Sequence, residues 1–154
     1  MADPDEWDDL PHADSEANGW YDTFVKSPAI GIVGGDTINV SFHSSWRPEF
    51  DDNYHQTANI TASYNGGAAV EILRWESDGG SPNFHDAAPN EAISLDITAP
   101  ADATDVVLEF GLFDAGNDWW WAIDNVVVSG QVPEPSTGLL ALVGAAFVLI
   151  RRRR

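Results

Sequence analysis

Apolar side chains recur at every second position in several short segments of the chain. In residues 37–46, Ile38, Val40 and Phe42 alternate with polar residues, and residues 57–65 show the same alternation. A period of two places apolar side chains on one face of an extended strand and polar side chains on the other. Both segments are therefore predicted to be half-buried β-strands.

Further segments of this kind are separated by clusters of Pro, Gly, Asp and Asn. Between two of the strands, Asn65-Gly66 predicts a tight hairpin because both residue types accept positive φ. No segment before residue 137 shows a helical period, and the strand spacing predicts an all-β fold, an antiparallel β-sandwich of the jelly-roll kind. The remaining predicted strands are residues 27–33, 68–75, 92–98, 105–113 and 119–130.

The end of the chain has a different pattern. Twelve apolar residues, 139–150, precede four consecutive arginines, Arg151, Arg152, Arg153 and Arg154. As a helix this stretch is about 18 Å long, shorter than a full membrane span prefers. A buried core helix fits poorly because four charges at a chain end resist burial. We predict a domain at 1–130 and a tail at 131–154, whose helix meets a membrane with the arginines on the cytoplasmic side.

The chain is strongly acidic, with 25 acidic and 7 basic residues and a formal net charge of −18. Four of the basic residues are the terminal arginines, so only Lys26, Arg47 and Arg74 oppose the acids before residue 131. Such a surface repels phosphate backbones and concentrates cations, which excludes nucleic acid as a partner. The alternative explanation of the acidic residues is that they bind no cation and only keep an exported domain soluble.

Signatures of catalysis are missing from the sequence. The chain has no cysteine, which excludes thiol catalysis and disulfides, and its four histidines stand in unrelated contexts. Neither an H-E-x-x-H pair nor a G-x-S-x-G elbow occurs, and no two carboxylates are singled out for glycoside hydrolysis. We therefore predict a protein that is not an enzyme.

Three consecutive tryptophans begin the last predicted strand. Trp119 and Trp121 point one way and Trp120 the other, because side chains alternate across a strand. At least one indole should then lie outside the core, where it can stack on a sugar ring. The alternative is that the triplet only seals the edge of the sandwich. The other candidate ligand-binding residues, in neighbouring loops, are Arg47, Tyr54 and Trp75.

A second candidate site is acidic. Asp114, Asp118 and Asp124 surround the turn that joins the last two predicted strands. Calcium takes six to eight oxygen ligands, which these carboxylates can supply together with the acids of residues 3–9. The spacing does not match the helix-loop-helix calcium motif, and the alternative is an aspartate-rich turn without an ion. Both interpretations stay open.

Residues 132–137, "VPEPST", with the apolar helix and the arginines behind them, resemble the PEP-CTERM sorting signal of Gram-negative bacteria. Pro133, Glu134 and Pro135 are its hallmark. The resemblance implies recognition by an exosortase, an integral-membrane processing enzyme, and transient anchoring in the inner membrane. It further implies delivery to the cell envelope or outer surface, often in organisms that make extracellular polysaccharide.

The segments "SPAI", "INVSFHSSW" and "WWWAIDNVVV" are similar to strands of MAM-like and carbohydrate-binding-module-like jelly rolls. This resemblance implies a structural calcium held by the aspartate of the last strand, here Asp124. PEP-CTERM proteins carry an N-terminal export signal, and jelly rolls of this kind begin with another strand or two ahead of the segment that corresponds to "DPDEWDD"; neither is expected from the sequence before this segment. We therefore expect the native protein to extend upstream of Met1.

Three functions are consistent with these features. The exported domain binds extracellular polysaccharide, or it is a structural component of the envelope or matrix, or it is an accessory domain of a secreted hydrolase. In the first hypothesis the binding residues are the tryptophan triplet and the loops around Arg47, Tyr54 and Trp75, and the other two functions are its alternatives.

Overall fold

The computed structural model describes residues 21–48, 55–115 and 120–131, and all regular structure in these residues is β-strand. None of them belongs to a helix able to cross a membrane. The helix predicted at 139–150 lies outside the described residues. The strands are β1 (Tyr21–Lys26), β2 (Ile30–Gly31), β3 (Thr37–Arg47), β4 (Thr57–Tyr64), β5 (Ala69–Glu76), β6 (Ala88–Thr98), β7 (Asp105–Ala115) and β8 (Trp120–Ser129).

The strands form two antiparallel sheets. The first has the order β1-β7-β4-β5, with the short strand β2 also paired to β7. The second contains three strands in the order β6-β3-β8. Because β7 and β8 follow each other in the chain but belong to different sheets, the connection between them crosses from one sheet to the other.

The core lies between the two sheets. Ile38, Val40 and Phe42 of β3 are at most 3% exposed, as their alternation predicts. From the other sheet, Phe110 of β7 meets Phe42 edge-to-face, with ring centroids 5.7 Å apart. Buried side chains of both sheets form one continuous cluster. The two sheets therefore make an antiparallel β-sandwich, which confirms the all-β fold predicted from the sequence.

The predicted hairpin turn is present. Asn65 and Gly66 have φ values of 51° and 68°, and the Gly67 backbone nitrogen donates to the Tyr64 carbonyl oxygen at 2.8 Å. The Asn65 side chain also holds a neighbouring loop, because its Oδ1 accepts from the Thr104 backbone nitrogen at 2.8 Å. The turn thus joins β4 to β5 and ties them to the start of β7.

Three strands differ from the sequence prediction. The edge strand β1 was not predicted, and its Phe24 and Val25 are 59% and 57% exposed. The strand predicted at 92–98 begins earlier, at Ala88, because Pro89 is tolerated in the edge strand β6. Only two residues of the segment predicted at 27–33, those of β2, form a strand.

Gly34 makes a close backbone contact that no larger residue can share. A Cβ atom built on it lies 2.5 Å from the Ala101 carbonyl oxygen and 2.8 Å from that of Ala103. We expect Gly34→Ala to lower the free energy of unfolding by about 1–3 kcal/mol, because backbone rather than a flexible side chain must move. Denaturant unfolding measures the change. Gly31→Ala is the control, since nothing lies within 4 Å of its Cβ, and an equal loss in both variants would contradict the prediction.

Candidate functional site: a polar groove on the three-stranded sheet

The outer face of the three-stranded sheet carries a ladder of mostly polar side chains. Even-numbered residues of β3, from Ile38 to Trp46, are buried in the core, so the odd-numbered ones face outward. Directly opposed residues of β8 lie on the same face as their β3 partners. The outward pairs toward one end of the sheet are His43 with Asp124, Ser45 with Ala122, and Arg47 with Trp120.

A groove of about 390 Å³ lies along this ladder. The volume is within the range of small-ligand sites, about 300–1,000 Å³. Its lining combines hydrogen-bonding groups with small apolar side chains, which leave the floor open. We call it the polar groove; its lining includes His43, Ser45, Asn90, Ala92, Ala122 and Asp124.

A β-bulge orients the acidic side of the polar groove. The β3–β8 register shifts between Ser41 and His43, and Asn125 adopts a φ of 54°. Asp124 Oδ1 accepts from the Asn125 backbone nitrogen at 2.7 Å, while Asn125 Nδ2 lies 3.3 Å from His43 Nδ1. Bulges commonly re-aim side chains beside binding sites. Here the bulge pairs Asp124 with His43 in the strand register and brings the Asn125 amide to the His43 imidazole.

An aromatic ring borders one end of the polar groove. Trp120 is half-buried, and the Arg47 guanidinium carbon lies 5.0 Å from its ring centroid, a cation–π contact. Trp120 Nε1 donates to Ser45 Oγ at 3.1 Å, and Ser45 lines the groove. The four-residue separation from Trp120 to Asp124 corresponds to roughly 13 Å along a strand. The indole and the carboxylate are therefore spaced for a short oligomeric ligand.

The other candidate ligand-binding residues lie elsewhere. Trp121 is 5% exposed, and its Nε1 donates to Ser44 Oγ at 3.1 Å, so its indole faces inward while that of Trp120 faces outward. Trp75 is also in the core, at 7% exposure. Of the predicted ligand-binding residues, the structure brings Arg47 and Trp120 together. Tyr54 and Trp119 lie outside the described residues.

Two of the predicted calcium ligands, Asp114 and Asp124, lie on different sheets. Asp114 is the next-to-last residue of β7, where its backbone nitrogen donates to Asp22 Oδ1 at 2.9 Å, whereas Asp124 lies in the polar groove. Asp118 is outside the described residues. In residues 21–48, 55–115 and 120–131, no group of three or more His, Asp or Glu side chains is arranged to hold a metal ion. Calcium binding by these aspartates stays a prediction from the sequence.

The β5–β6 connection reaches the polar groove through His85. Its ring stacks on Trp75, with centroids 4.1 Å apart and an interplanar angle of 12°, and its Nε2 lies 2.9 Å from Glu91 Oε2. Glu91 lines the groove beside Asn90. The sequence prediction assigned these residues to a Pro- and Asn-rich loop, and only the alternation from residue 92 onward indicated a strand.

Glu76 anchors the beginning of the same connection. Its carboxylate accepts from the Ser81 hydroxyl and from Arg74 Nε. These two hydrogen bonds, Ser81 first, hold the pKa of Glu76 below its ordinary value of 4.5. The ionised carboxylate therefore holds the start of this loop in place.

Comparison with known proteins identifies the tail. Residues 131–154 match the PEP-CTERM protein-sorting motif. The match confirms the resemblance seen in the sequence and indicates that the protein is exported. Among curated protein sequences, none matches the chain significantly.

Two solved structures are similar to the described fold. One, reported as "CBM4 structure and function", is 21% identical, with a TM-score of 0.43 over 70% of this chain and 61% of its own. The other contains the CBM22-1–GH10 modules of Clostridium thermocellum endo-1,4-beta-D-xylanase 10B complexed with xylohexaose. It is 17% identical, with a TM-score of 0.40 over 65% of this chain and 18% of its own. The chain thus spans less than two thirds of either solved chain.

The lowered pKa of Glu76 predicts a pH-dependent contribution to stability. The contribution is complete above pH 4.5 and is lost as the pH falls through the lowered pKa, because protonation weakens the hydrogen bonds that the carboxylate accepts from Ser81 and from Arg74. We expect the stability difference between the wild type and Glu76→Gln to be largest near neutral pH and to shrink below pH 4.5. Unfolding in denaturant at a series of pH values measures it.

Glu71→Gln is the matched control for this prediction, because Glu71 is a more exposed partner of the same arginine, 3.3 Å from Arg74 Nη1. Exposed ion pairs contribute little to stability. Its pH profile should therefore stay closer to that of the wild type. A difference between wild type and Glu76→Gln that is the same at every pH would contradict the assignment.

Proposed function

We propose that this exported protein binds polysaccharide in the polar groove and does not catalyse a reaction. The observation that carries the proposal is the position of Trp120, whose half-buried indole borders an open groove and is joined to its lining through Ser45. An aromatic face held beside hydrogen-bonding side chains suits a sugar ring, which has apolar C–H faces and polar hydroxyl groups.

The lining of the polar groove supports this choice of ligand. His43, Ser45, Asn90 and Asp124 offer donors and acceptors along the ladder, and the neighbouring alanines leave space for the ring itself. These groups lie on paired strands rather than on loops, so their spacing is set by the sheet. A rigid array of this kind loses little conformational entropy on binding.

The contacts inside the polar groove favour binding over catalysis. The Ser45 hydroxyl accepts from Trp120 Nε1, and His43 faces Asn125. Nucleophilic catalysis needs a serine and a base within hydrogen-bonding reach of each other. The described contacts instead engage each of these two side chains with a different partner.

The sorting motif is consistent with the same function. We infer that an exosortase recognises the tail, that its apolar helix holds the protein transiently in the inner membrane, and that the domain then reaches the cell envelope or surface. Extracellular polysaccharide is accessible there. The sorting motif supports a location where polysaccharide is accessible, and the polar groove independently supports polysaccharide as the class of ligand.

The central test is the substitution Trp120→Ala, measured by binding of the full chain to a panel of soluble polysaccharides in affinity electrophoresis. We expect the affinity to fall by about 1–2 kcal/mol, roughly five- to thirty-fold, because tryptophan is among the residues whose truncation costs the most binding energy. Thermal unfolding of the same variant establishes that it remains folded.

Phe24→Ala is the matched control. Phe24 is an aromatic residue that is 59% exposed, and it lies on β1 of the other sheet. Its removal should leave polysaccharide affinity unchanged. Equal affinities for the wild type and Trp120→Ala would contradict the proposal, and a wild type that binds no polysaccharide would favour a structural role in the envelope.

A further inference from the structure

The basic side chains of the described residues lie mostly away from the polar groove. Lys26 of β1 is paired with Glu109, 2.7 Å away, on the five-stranded sheet. Arg74 of β5 is paired with Glu71 and Glu76 on that same sheet. The third, Arg47, lies at the end of the groove over the Trp120 ring.

The acidic side chains are distributed differently. Asp124 is exposed in the polar groove, and Glu91 lines it while paired with His85. Asp96 lies on the same outer face, where its Oδ1 accepts from Asn39 Nδ2 at 2.8 Å. The groove therefore lies in a field that is negative in sign, as expected for a chain of net charge −18.

This charge distribution selects among polysaccharides. Carboxylated and sulfated sugars are recognised chiefly by Arg and Lys, which form charge-assisted hydrogen bonds to them. The polar groove presents the exposed Asp124 carboxylate in its lining and an arginine only at its end. A negatively charged sugar group meets repulsion at Asp124, and a positively charged one meets attraction there.

Asp124 is arranged to receive a cationic group. Its Oδ1 accepts from the Asn125 backbone nitrogen, which fixes the orientation of the carboxylate. Its Oδ2 makes no hydrogen bond to any residue that the structure describes, and the residue is exposed and paired with His43 in the strand register. A sugar ammonium group that donates to Oδ2 gains a charge-assisted hydrogen bond without displacing an internal contact.

We propose that the ligand of the polar groove is a polysaccharide that contains free amino groups, that is, an unacetylated hexosamine polymer. One ammonium group donates to Asp124, and a neighbouring ring lies against Trp120. This proposal rests on the proposed function, because it names the chemical class of ligand for the same groove.

The test compares two sugar chains that differ in one group. A β-1,4-linked glucosamine hexamer and its fully N-acetylated counterpart have the same backbone and length, but in buffer below the pKa of the sugar amino groups only the first carries positive charge. We expect the full chain to bind the glucosamine hexamer at least about tenfold more tightly at low ionic strength, as isothermal titration calorimetry measures it. An oligogalacturonate of equal length serves as the anionic probe and should bind most weakly.

The variant Asp124→Asn should bring the two affinities to within about a factor of two, since the amide keeps the shape of the side chain and removes its charge. Asp102→Asn is the control, because it removes an equal charge from an exposed loop residue that does not line the groove. It should retain the preference of the wild type.

Each other outcome overturns a defined claim. The amino-sugar proposal is overturned, and polysaccharide binding left standing, if the wild type binds both hexamers equally or binds the N-acetylated hexamer or the oligogalacturonate more tightly. Equal effects of the two variants overturn it as well. Failure of the wild type to bind any of these probes or any polysaccharide of the panel overturns the proposed function itself.

Discussion

The packing of aromatic side chains between the two sheets is the interaction on which the rest of the structure depends. Trp75 of the five-stranded sheet lies 6.1 Å from Trp46 and 6.1 Å from Trp121, both of the three-stranded sheet, measured between ring centroids. Trp46 Nε1 donates a hydrogen bond to the His85 carbonyl oxygen, and Trp121 Nε1 donates one to Ser44 Oγ. A buried N–H group without a partner is costly, and these two indoles avoid that cost.

This core also determines what the outer face presents. Trp46 and Trp121 are paired across β3 and β8, and the next outward pair is Arg47 with Trp120. A shift of one residue in either strand would exchange inward and outward side chains along its whole length. The register that buries Trp121 is thus the register that places Trp120 beside the polar groove, so core packing and the candidate site are specified by the same contacts.

Local patterns in the sequence predicted the features that depend on neighbouring residues. The alternation around Val40 and the hairpin at Asn65-Gly66 are of this kind. The polar groove could not be predicted in this way, because the contact between His43 and Asn125 joins residues 82 positions apart. The strand β1 could not be predicted from alternation, because it is an edge strand in which the consecutive residues Phe24 and Val25 are both exposed. Asp114 and Asp124, close in the sequence, lie on different sheets because the chain changes sheets between them.

The tail and the domain differ sharply in charge, and this bears on the proposed ligand. Arg151 to Arg154 contribute four of the seven basic residues, whereas nearly all of the 25 acidic residues precede the tail. If an exosortase removes the tail, the released domain is more acidic than the full chain. The proposed attraction of that domain for cationic sugar groups then increases. Under the proposed function, membrane anchoring and ligand selection use charges of opposite sign, and because these charges lie in separate parts of the chain, a change in one leaves the other in place.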